Sequence, residues 1–313
     1  MSFAPAQEDK NGAKENNGMS LTRMPYNMEE VMQKTDPLVM PIVKWVGGKR
    51  QLLEQIVPRI PEHNTYYEPF VGGGAVLFRM QPKKAVINDS NEELINIYRV
   101  IKEQPEALIA RLAEHKEKNC QEYFYEVRAL DRSFETYMEL SSVDRAARII
   151  YLNKTCYNGL FRVNRAGEFN SPWGRYKNPN ITNEETIRAM SRYLNQSKVL
   201  ILCEDYRETF KGIRKDSFVY LDPPYMPISS SSSFTGYTAA GFGPQQQIEL
   251  KKQCDILNKR GIRFLLSNSC CEFIEELYKD YIVERVSAKR TINAKADKRG
   301  AIDELLIRNY ELD

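Results

Sequence analysis

The sequence predicts an α/β fold, and three observations carry the prediction. Short apolar runs with strand character alternate with segments whose apolar residues recur at helical spacing. A run of three glycines, Gly72 to Gly74, stands directly between one such strand and the helix after it. Two of the strand-like runs end on an aspartate, Asp89 and Asp222, where a helix or a rigid turn begins. In open α/β sheets ligands bind at the carboxyl ends of strands, so these aspartates mark a candidate cleft.

Residues 1–36 are polar, rich in Asn, Glu and Lys, and carry no sustained apolar period, so a disordered tail is expected. Folded sequence is expected from about Leu38, where "LVMPIVKW" leads into "VGGKRQLLEQIVPRI" with Leu52, Leu53, Ile56, Val57 and Ile60 on one helical face. "TYYEPFVGGGAVLFRM" reads as strand, glycine turn and helix. "KAVINDSNEELINIYRVIK" reads as strand then helix, with Ser90 and Glu93 in capping-box spacing and Leu94, Ile97, Tyr98 and Ile101 on the inner face. Residues 105–195 turn mostly helical and highly charged, interrupted by the Gly- and Asn-rich "TCYNGLFRVNRAGEFNSPWGRYKNPN". Alternation then resumes with the strands "KVLILCEDY" and "DSFVYLDPPY", the helix "PQQQIELKKQCDILNKRG" closed by Gly261, the strand "IRFLLSNS", the helix "CEFIEELYKD", and the strands "YIVERV" and "DELLIRNY". The expected organisation is an α/β domain built from 37–104 and 196–313, interrupted by a helical unit at 105–195.

A chain of 313 residues with 42% hydrophobic and 28% charged residues has the composition of a globular protein large enough to be an enzyme. Its net charge of +3 argues for no particular partner, so nucleic-acid binding has to be argued from where the charges sit. Six scattered cysteines without a C-x-x-C pair, and two distant histidines, His63 and His115, predict neither a zinc site nor a disulfide framework, and no metal is expected. No apolar run approaches membrane-spanning length and no signal-peptide core is present, so a reducing cytoplasm is the expected compartment.

The glycine run at the head of a helix suits a nucleotide-type cofactor, because side chains there would block approach to the backbone amides. Asp89, seventeen residues beyond Gly72 at the end of the next strand, can accept both hydroxyls of a ribose. The same residues also suit a glycine turn and a helix cap with no ligand at all. "WVGGKRQLL" is not a phosphate-binding loop, since that pattern needs Gly at 43 and Ser or Thr at 50, where this chain has Val43 and Arg50. Lys49 beside two glycines can still reach a carboxylate of a ligand.

In "LDPPY" a buried strand ends on Asp222, and Pro223 and Pro224 lock the following turn before Tyr225. The bland reading is turn punctuation. The functional reading is an amine clamp. The lone pair of a base amine is delocalised into the ring; a carboxylate and a proline carbonyl accepting its two N–H bonds favour a more pyramidal nitrogen whose lone pair points outward. Rigid acceptors matter because electrostatic stabilisation works through preorganisation, and Tyr225 offers a face for stacking an extruded base.

Between Leu152 and Lys177 five basic residues, Lys154, Arg162, Arg165, Arg175 and Lys177, stand against Glu168 alone and interleave with Tyr157, Phe161, Trp173 and Tyr176. Basic plus aromatic suits nucleic acid, although such a run also suits a solvated face. "RVSAKRTINAKADKRG" holds six cations from Arg285 to Arg299 against Asp297 and suits either a phosphate backbone or a solvated hairpin loop. "SSSSSF" after the proline turn is expected to be a mobile loop able to close over a flipped base.

The features "KWVGGKRQLL", "EPFVGGG", "IND" and "DPPY", in that order with a helical insertion before the last, together with "YNGLFRVN" and "GEFNSPWGRYK", resemble the Dam-like DNA adenine-N6 methyltransferases of the alpha group (D12 class). The resemblance runs from about Ile42 to Tyr310. It implies the Rossmann-like fold of S-adenosylmethionine-dependent methyltransferases, a mixed seven-stranded sheet with helices on both faces, and a target-recognition role for the helical insertion. Trp45, Lys49, Phe70, Gly72, Gly73, Gly74, Asp89 and Asp222 are implied to surround S-adenosylmethionine, with Asp205 and Tyr206 bordering its adenine ring. Asp222, Pro223, Pro224 and Tyr225 are implied to hold the target adenine during an in-line methyl transfer without metal. For double-stranded DNA, the resemblance implies Tyr157 as a wedge, Asn158 and Leu160 at the inner bases, Arg162 on a guanine and Lys44 at the outer base, with Pro172 and Arg175 completing the contacting set. Family members with this pattern methylate adenine in GATC; one strand is methylated at a time, so a monomer suffices, acting on DNA of the bacterial or phage-infected cytoplasm.

Three other readings compete. An RNA adenine methyltransferase keeps the chemistry and changes the polymer. An inactive DNA-binding homologue is disfavoured by the presence of Asp222, Lys49 and Asp89 together, and a nicotinamide-dependent oxidoreductase by the absent G-x-G-x-x-G fingerprint.

Overall fold

The computed structural model describes residues 34–226, 242–289 and 301–312. The N-terminal stretch up to residue 33, the serine run, and the second basic stretch from 290 to 300 lie outside the described residues. In the rest, seven strands form one sheet in the order β3-β2-β1-β4-β5-β7-β6. The strands are β1 Thr65–Glu68, β2 Lys84–Asn88, β3 Lys198–Leu202, β4 Ser217–Leu221, β5 Arg263–Ser269, β6 Ile282–Lys289 and β7 Ala301–Arg308. The first five run parallel, and β7 lies antiparallel between β5 and β6. This is the mixed seven-stranded sheet that the sequence resemblance implies.

Strand β4 shows why the sheet is buried on both sides. Its residues Ser217–Leu221 are all buried, and successive side chains point to opposite faces. Phe218 and Tyr220 join the core on one face, while Val219 and Leu221 join that on the other. The second face is covered by α10 Pro244–Lys259 and α11 Glu272–Leu277, through Leu250, Cys254, Leu257 and Ile274. On the first face lie α2 Ala75–Met80, α3 Glu92–Glu103 and the helices of the insertion, α4 Pro105–Glu117, α5 Gln121–Ala129, α6 Phe134–Met138, α7 Ser142–Thr155 and α8 Glu184–Gln196. Helix α7 is buried along most of its length, and its Ile149, Ile150 and Leu152 share one continuous core with α3 and the sheet. Arg148 on α7 is 2% exposed, bonded to the carbonyls of Val127 and Arg128 and paired with Asp131 at 2.8 Å, so the charge is not left unpaired.

Strand order reverses between β1, which pairs with β2 on one side and β4 on the other. Their carboxyl ends therefore open a crevice at the switch point, and the chain leaves β1 into Phe70 and the glycines and β4 into Asp222. Asn88, 1% exposed at the end of β2, staples this rim: its amide donates to the carbonyls of Pro69 and Glu204 at 3.1 and 3.0 Å and accepts from Glu204 N–H at 2.9 Å.

Two local expectations change. The first helix is broken: α1 Leu53–Ile56 is flanked by 3-10 turns Lys49–Leu52 and Val57–Arg59, because Pro58 has no N–H to continue an α-helical ladder. Its apolar face is nevertheless buried, with Leu52, Ile56, Val57 and Ile60 all at 2% exposure or less. The N-cap of α3 is Asn91, whose side chain accepts from Leu94 N–H at 2.9 Å, and not Ser90. Glu93 is drawn away from a capping box by Arg145 at 2.6 Å and by the Tyr137 hydroxyl at 2.9 Å.

Gly74 caps α2 at φ +71°, and a methyl group there would stand 2.8 Å from both Phe78 and the Tyr98 hydroxyl. Gly74→Ala is expected to destabilise the protein by about 2 kcal/mol or more, from left-handed strain plus overpacking. The urea midpoint measures it; a loss of only about 1 kcal/mol would mean that Phe78 and Tyr98 give way and the left-handed strain alone remains, and an unchanged midpoint would refute both causes.

Candidate active site and nucleic-acid interface

Asp222 sits at the end of β4 with its side chain 19% exposed, and Lys49 Nζ, itself 4% exposed, lies 2.7 Å from its Oδ1. The ammonium also donates to the Gly47 carbonyl at 2.5 Å and stands 4.6 Å above the centre of the Tyr225 ring. Lys49 thus touches both the carboxylate and the aromatic of the turn, a pairing that a sequence separation of this size conceals. Burial pushes the Asp222 carboxyl up to about 6, against the attraction and hydrogen bond of Lys49, with Glu304 adding repulsion. Beneath it Glu68 is buried and pushed up to about 8, first by burial, and it accepts from the Tyr66 hydroxyl at 2.8 Å.

The turn after Asp222 is held by residues that sequence reasoning missed. Gln247 Nε2 donates to the Pro224 carbonyl at 3.0 Å, Asn268 Oδ1 accepts from Met226 N–H at 3.3 Å, and the Tyr225 hydroxyl donates to Glu304 at 2.5 Å. Nothing in the sequence marks Gln247 or Glu304, because both reach the turn from elements far along the chain.

On the other side of the crevice, Asp89 bridges the glycine turn and α3: Oδ2 accepts from Gly72 N–H at 3.0 Å and Oδ1 from Asn91 N–H at 2.9 Å. Burial pushes this carboxyl up, opposed by these backbone donors and that of Ser90. The Tyr98 hydroxyl holds the Gly72 carbonyl at 2.7 Å. Trp45 covers the glycines; a methyl group on Gly72 or Gly73 would lie 3.2 or 3.3 Å from it. Phe70 packs against Tyr206 at 4.9 Å between ring centres, and Phe242, which the sequence did not single out, joins both at 5.9 and 6.1 Å. Asp205 caps the short helix α9 Tyr206–Phe210 and pairs with Arg207 at 2.7 Å, so its carboxylate is turned to its own helix. The donor set fits an adenosine-like group: a carboxylate acceptor, an aromatic wall and a glycine turn at the end of β1.

All seven candidate DNA contacts, Lys44, Tyr157, Asn158, Leu160, Arg162, Pro172 and Arg175, are exposed. Six of them lie on the insertion, and Asn153 ties the seventh, Lys44, to it from the segment before β1. Tyr157 is 59% exposed, and its N–H bonds the Pro172 carbonyl at 2.8 Å. Asn158 and Arg175 take left-handed backbone conformations at φ 58° and 56°. Arg162 donates from Nε to Asn170 Oδ1 at 2.7 Å and from Nη2 to the Asn170 carbonyl at 3.2 Å, which fixes one edge of its guanidinium. Asn153, 1% exposed, brackets Lys44 by accepting from its N–H at 2.8 Å and donating to its carbonyl at 2.9 Å, and also holds the Gly159 carbonyl at 3.0 Å. Trp45 stacks on Phe161 at 4.6 Å, so the Lys44–Trp45 dipeptide joins the glycine turn to the insertion. Lys44, Lys154 and Lys177 line a recess of about 260 Å³ beside Tyr176. Burial and the charges of Arg50 and Lys44 bring Lys154 down to about 8.

Residues 45–292 match the model of the D12 class N6 adenine-specific DNA methyltransferases. The chain belongs to that family. Among its relatives, this D12 methyltransferase is 44% identical over 281 residues to the Type II methyltransferase M1.LlaDCHI of Lactococcus lactis subsp. cremoris, covering 90% of this chain and 99% of the other. It is 44% identical over 291 residues to the Type II methyltransferase M.MjaIII of Methanocaldococcus jannaschii, covering 87% and 99%. The DNA adenine methylase of Escherichia coli K12 is 33% identical over 267 residues, 84% of this chain and 93% of that one. Methyl transfer to adenine N6 of DNA is therefore the activity of this D12 methyltransferase, and the family implies S-adenosylmethionine as methyl donor. Among the described residues no helix is long and apolar enough to cross a membrane.

Proposed function

We propose that this enzyme methylates adenine N6 within GATC in duplex DNA, after flipping the base into the Asp222–Tyr225 turn. The observation that carries the reading is the placement of Asp222 at the switch point, ion-paired to Lys49 at 2.7 Å and adjoining the Pro223 carbonyl. S-adenosylmethionine, when bound, supplies an electrophilic methyl carbon on a sulfonium. Asp222 and the Pro223 carbonyl accept the two N–H bonds of the amine, Lys49 keeps the carboxylate ionised, and Tyr225 offers a ring face to the base. Asp89 accepts the donor's ribose hydroxyls, with Phe70 and Tyr206 against its adenine and Trp45 over the glycines. At the tip Tyr157 wedges into the duplex, Asn158 and Leu160 meet the inner bases, and Arg162 and Lys44 read the guanine and the outer base. Exposed aromatic and cationic side chains at one tip support duplex DNA over RNA, whose deep major groove side chains cannot read.

Tritiated methyl transfer to duplexes differing from GATC at one base pair tests activity and target together. Label in GATC alone is expected, with 2-aminopurine at the target position brightening on binding as it unstacks. Equal label in every duplex would refute the assigned site, and label in RNA hairpins the assigned polymer.

The Asp222 carboxyl has to be ionised to accept the amine, so the methylation rate is expected to fall as pH drops through about 6. The folded-state value lies above the unfolded one of about 3.9. Its stability contribution thus runs the other way, present below that value and lost as pH rises through about 6. Lys49→Met removes the cation that opposes burial, and the acid limb should move to higher pH. A single-turnover pH profile checks both; an unmoved limb would assign it to another group.

A further inference from the structure

Of the two proline ψ angles in the Asp222–Tyr225 turn, the sequence itself restrains only one. Both proline rings fix φ, and ψ of Pro223 is confined because another proline follows. Pro224 is followed by Tyr225, so its ψ has no such limit. That angle sets where the Tyr225 ring stands relative to the Asp222 carboxylate, which is anchored separately by β4.

Two fully buried amides meet the turn at this joint. Gln247, in the first turn of α10, and Asn268, on β5, are both 0% exposed. Gln247 Nε2 donates to the Pro224 carbonyl at 3.0 Å, and Asn268 Nδ2 donates to Gln247 Oε1 at 3.0 Å. Asn268 Oδ1 accepts from the N–H of Met226 at 3.3 Å and of Ser269 at 2.9 Å, and Ser269 Oγ donates to the Met226 carbonyl at 2.8 Å. The peptide groups on both sides of Tyr225 are thereby held, and Glu304 holds its hydroxyl at 2.5 Å. An apolar pair would fill the same volume without needing partners. What the amides add is direction: bonding at the Pro224 carbonyl fixes the proline ψ that the sequence leaves open, and the bond from Met226 N–H holds the peptide beyond Tyr225.

We propose that Gln247 and Asn268 are positioning residues, an amide relay from α10 and β5 that sets the Tyr225 ring against the Asp222 carboxylate so that base stacking and the amine clamp act on one adenine. The proposal rests on the reading of Asp222–Tyr225 as the catalytic turn. Gln247→Met is the sharpest variant, since it keeps the length of the side chain and removes the donor to Pro224, whereas a buried carboxyl at this position would be held protonated and still donate. Gln247→Leu removes the same donor with a branched side chain, Asn268→Leu interrupts the relay at its other residue, and any one that folds serves the test.

Single-turnover methylation of a GATC duplex with tritiated S-adenosylmethionine, on folded protein at 25 °C, should slow about tenfold in Gln247→Met. The equilibrium affinity for the methyl donor should stay within about twofold, because the relay does not touch the Asp89 side. Combining Gln247→Met with Asn268→Leu should slow the step no more than the slower single variant, as expected of groups acting as one unit. A role confined to packing would instead lower the unfolding temperature and leave the rate of the folded fraction unchanged, and that result overturns the relay. Asp222→Ala, measured alongside, separates the two ideas. If it loses turnover while Gln247→Met keeps the wild-type rate, the relay alone is wrong; if Asp222→Ala keeps its rate, the catalytic turn is misread and the relay goes with it.

Discussion

Replacing Asp222 with alanine is expected to lower turnover by about a hundredfold or more, the scale seen when one preorganised polar contact to a transition state is removed. The amine nitrogen gains positive charge only as its bond to the methyl carbon forms, so an acceptor fixed 2.7 Å from a buried lysine acts on the transition state more than on the bound base. Alanine also leaves Lys49, 4% exposed, without its carboxylate. Asp222→Asn is therefore the companion variant: it keeps the shape and one acceptor oxygen while removing the charge, and should retain more activity than alanine. The measurement is the single-turnover rate at saturating DNA and methyl donor, and near wild-type turnover in Asp222→Ala would sink the amine clamp.

The sheet was legible because its signals are local. Alternation along β4, the glycine turn after β1 and the aspartates at two strand ends are set by neighbours in sequence, and the structure places the glycines and Asp222 at the switch point of strand order, with Asp89 at the end of the adjoining β2. The breaks were also local but weaker: Pro58 outweighed a five-residue apolar face, and Asn91 took the cap of α3 because Glu93 is committed to Arg145 across the molecule. What the sequence concealed are partnerships made only by folding. Gln247 with Pro224, Glu304 with Tyr225, and Asn153 with Lys44 are separated by 23, 79 and 109 residues. A lone Gln or Asn carries no pattern of its own, so its function is visible only once the groups it bonds are seen. Lys49 was singled out as a cation able to reach a ligand carboxylate; folding has it paired with Asp222 and over Tyr225.

Specificity is expected to lie in the tip of the insertion and not in the catalytic turn, and Arg162 is where it can be measured. Asn170 engages the Nε and Nη2 donors of Arg162 at 2.7 and 3.2 Å, a brace that orients the guanidinium before DNA arrives. Guanidinium retains further N–H donors on its outer edge, and a planar pair of donors suits guanine O6 and N7. Arg162→Ala should therefore cost roughly 1–3 kcal/mol in kcat/KM for the cognate duplex and much less for a duplex already altered at that base pair. Discrimination should collapse at that one position and persist at the others. Asn170→Ala, which removes the brace and leaves the guanidinium, should give a smaller loss at the same position. Lys289 and Lys298, if they touch only phosphates, give the contrasting pattern, a uniform weakening across duplexes and a flatter salt dependence. The side chain of Lys289 and all of Lys298 lie outside the described residues, so this contrast rests on their charge alone. The decisive comparison is kcat/KM on GATC and on each single-substitution duplex. A loss spread evenly over all of them in Arg162→Ala would mean that this side chain grips the backbone and reads no base.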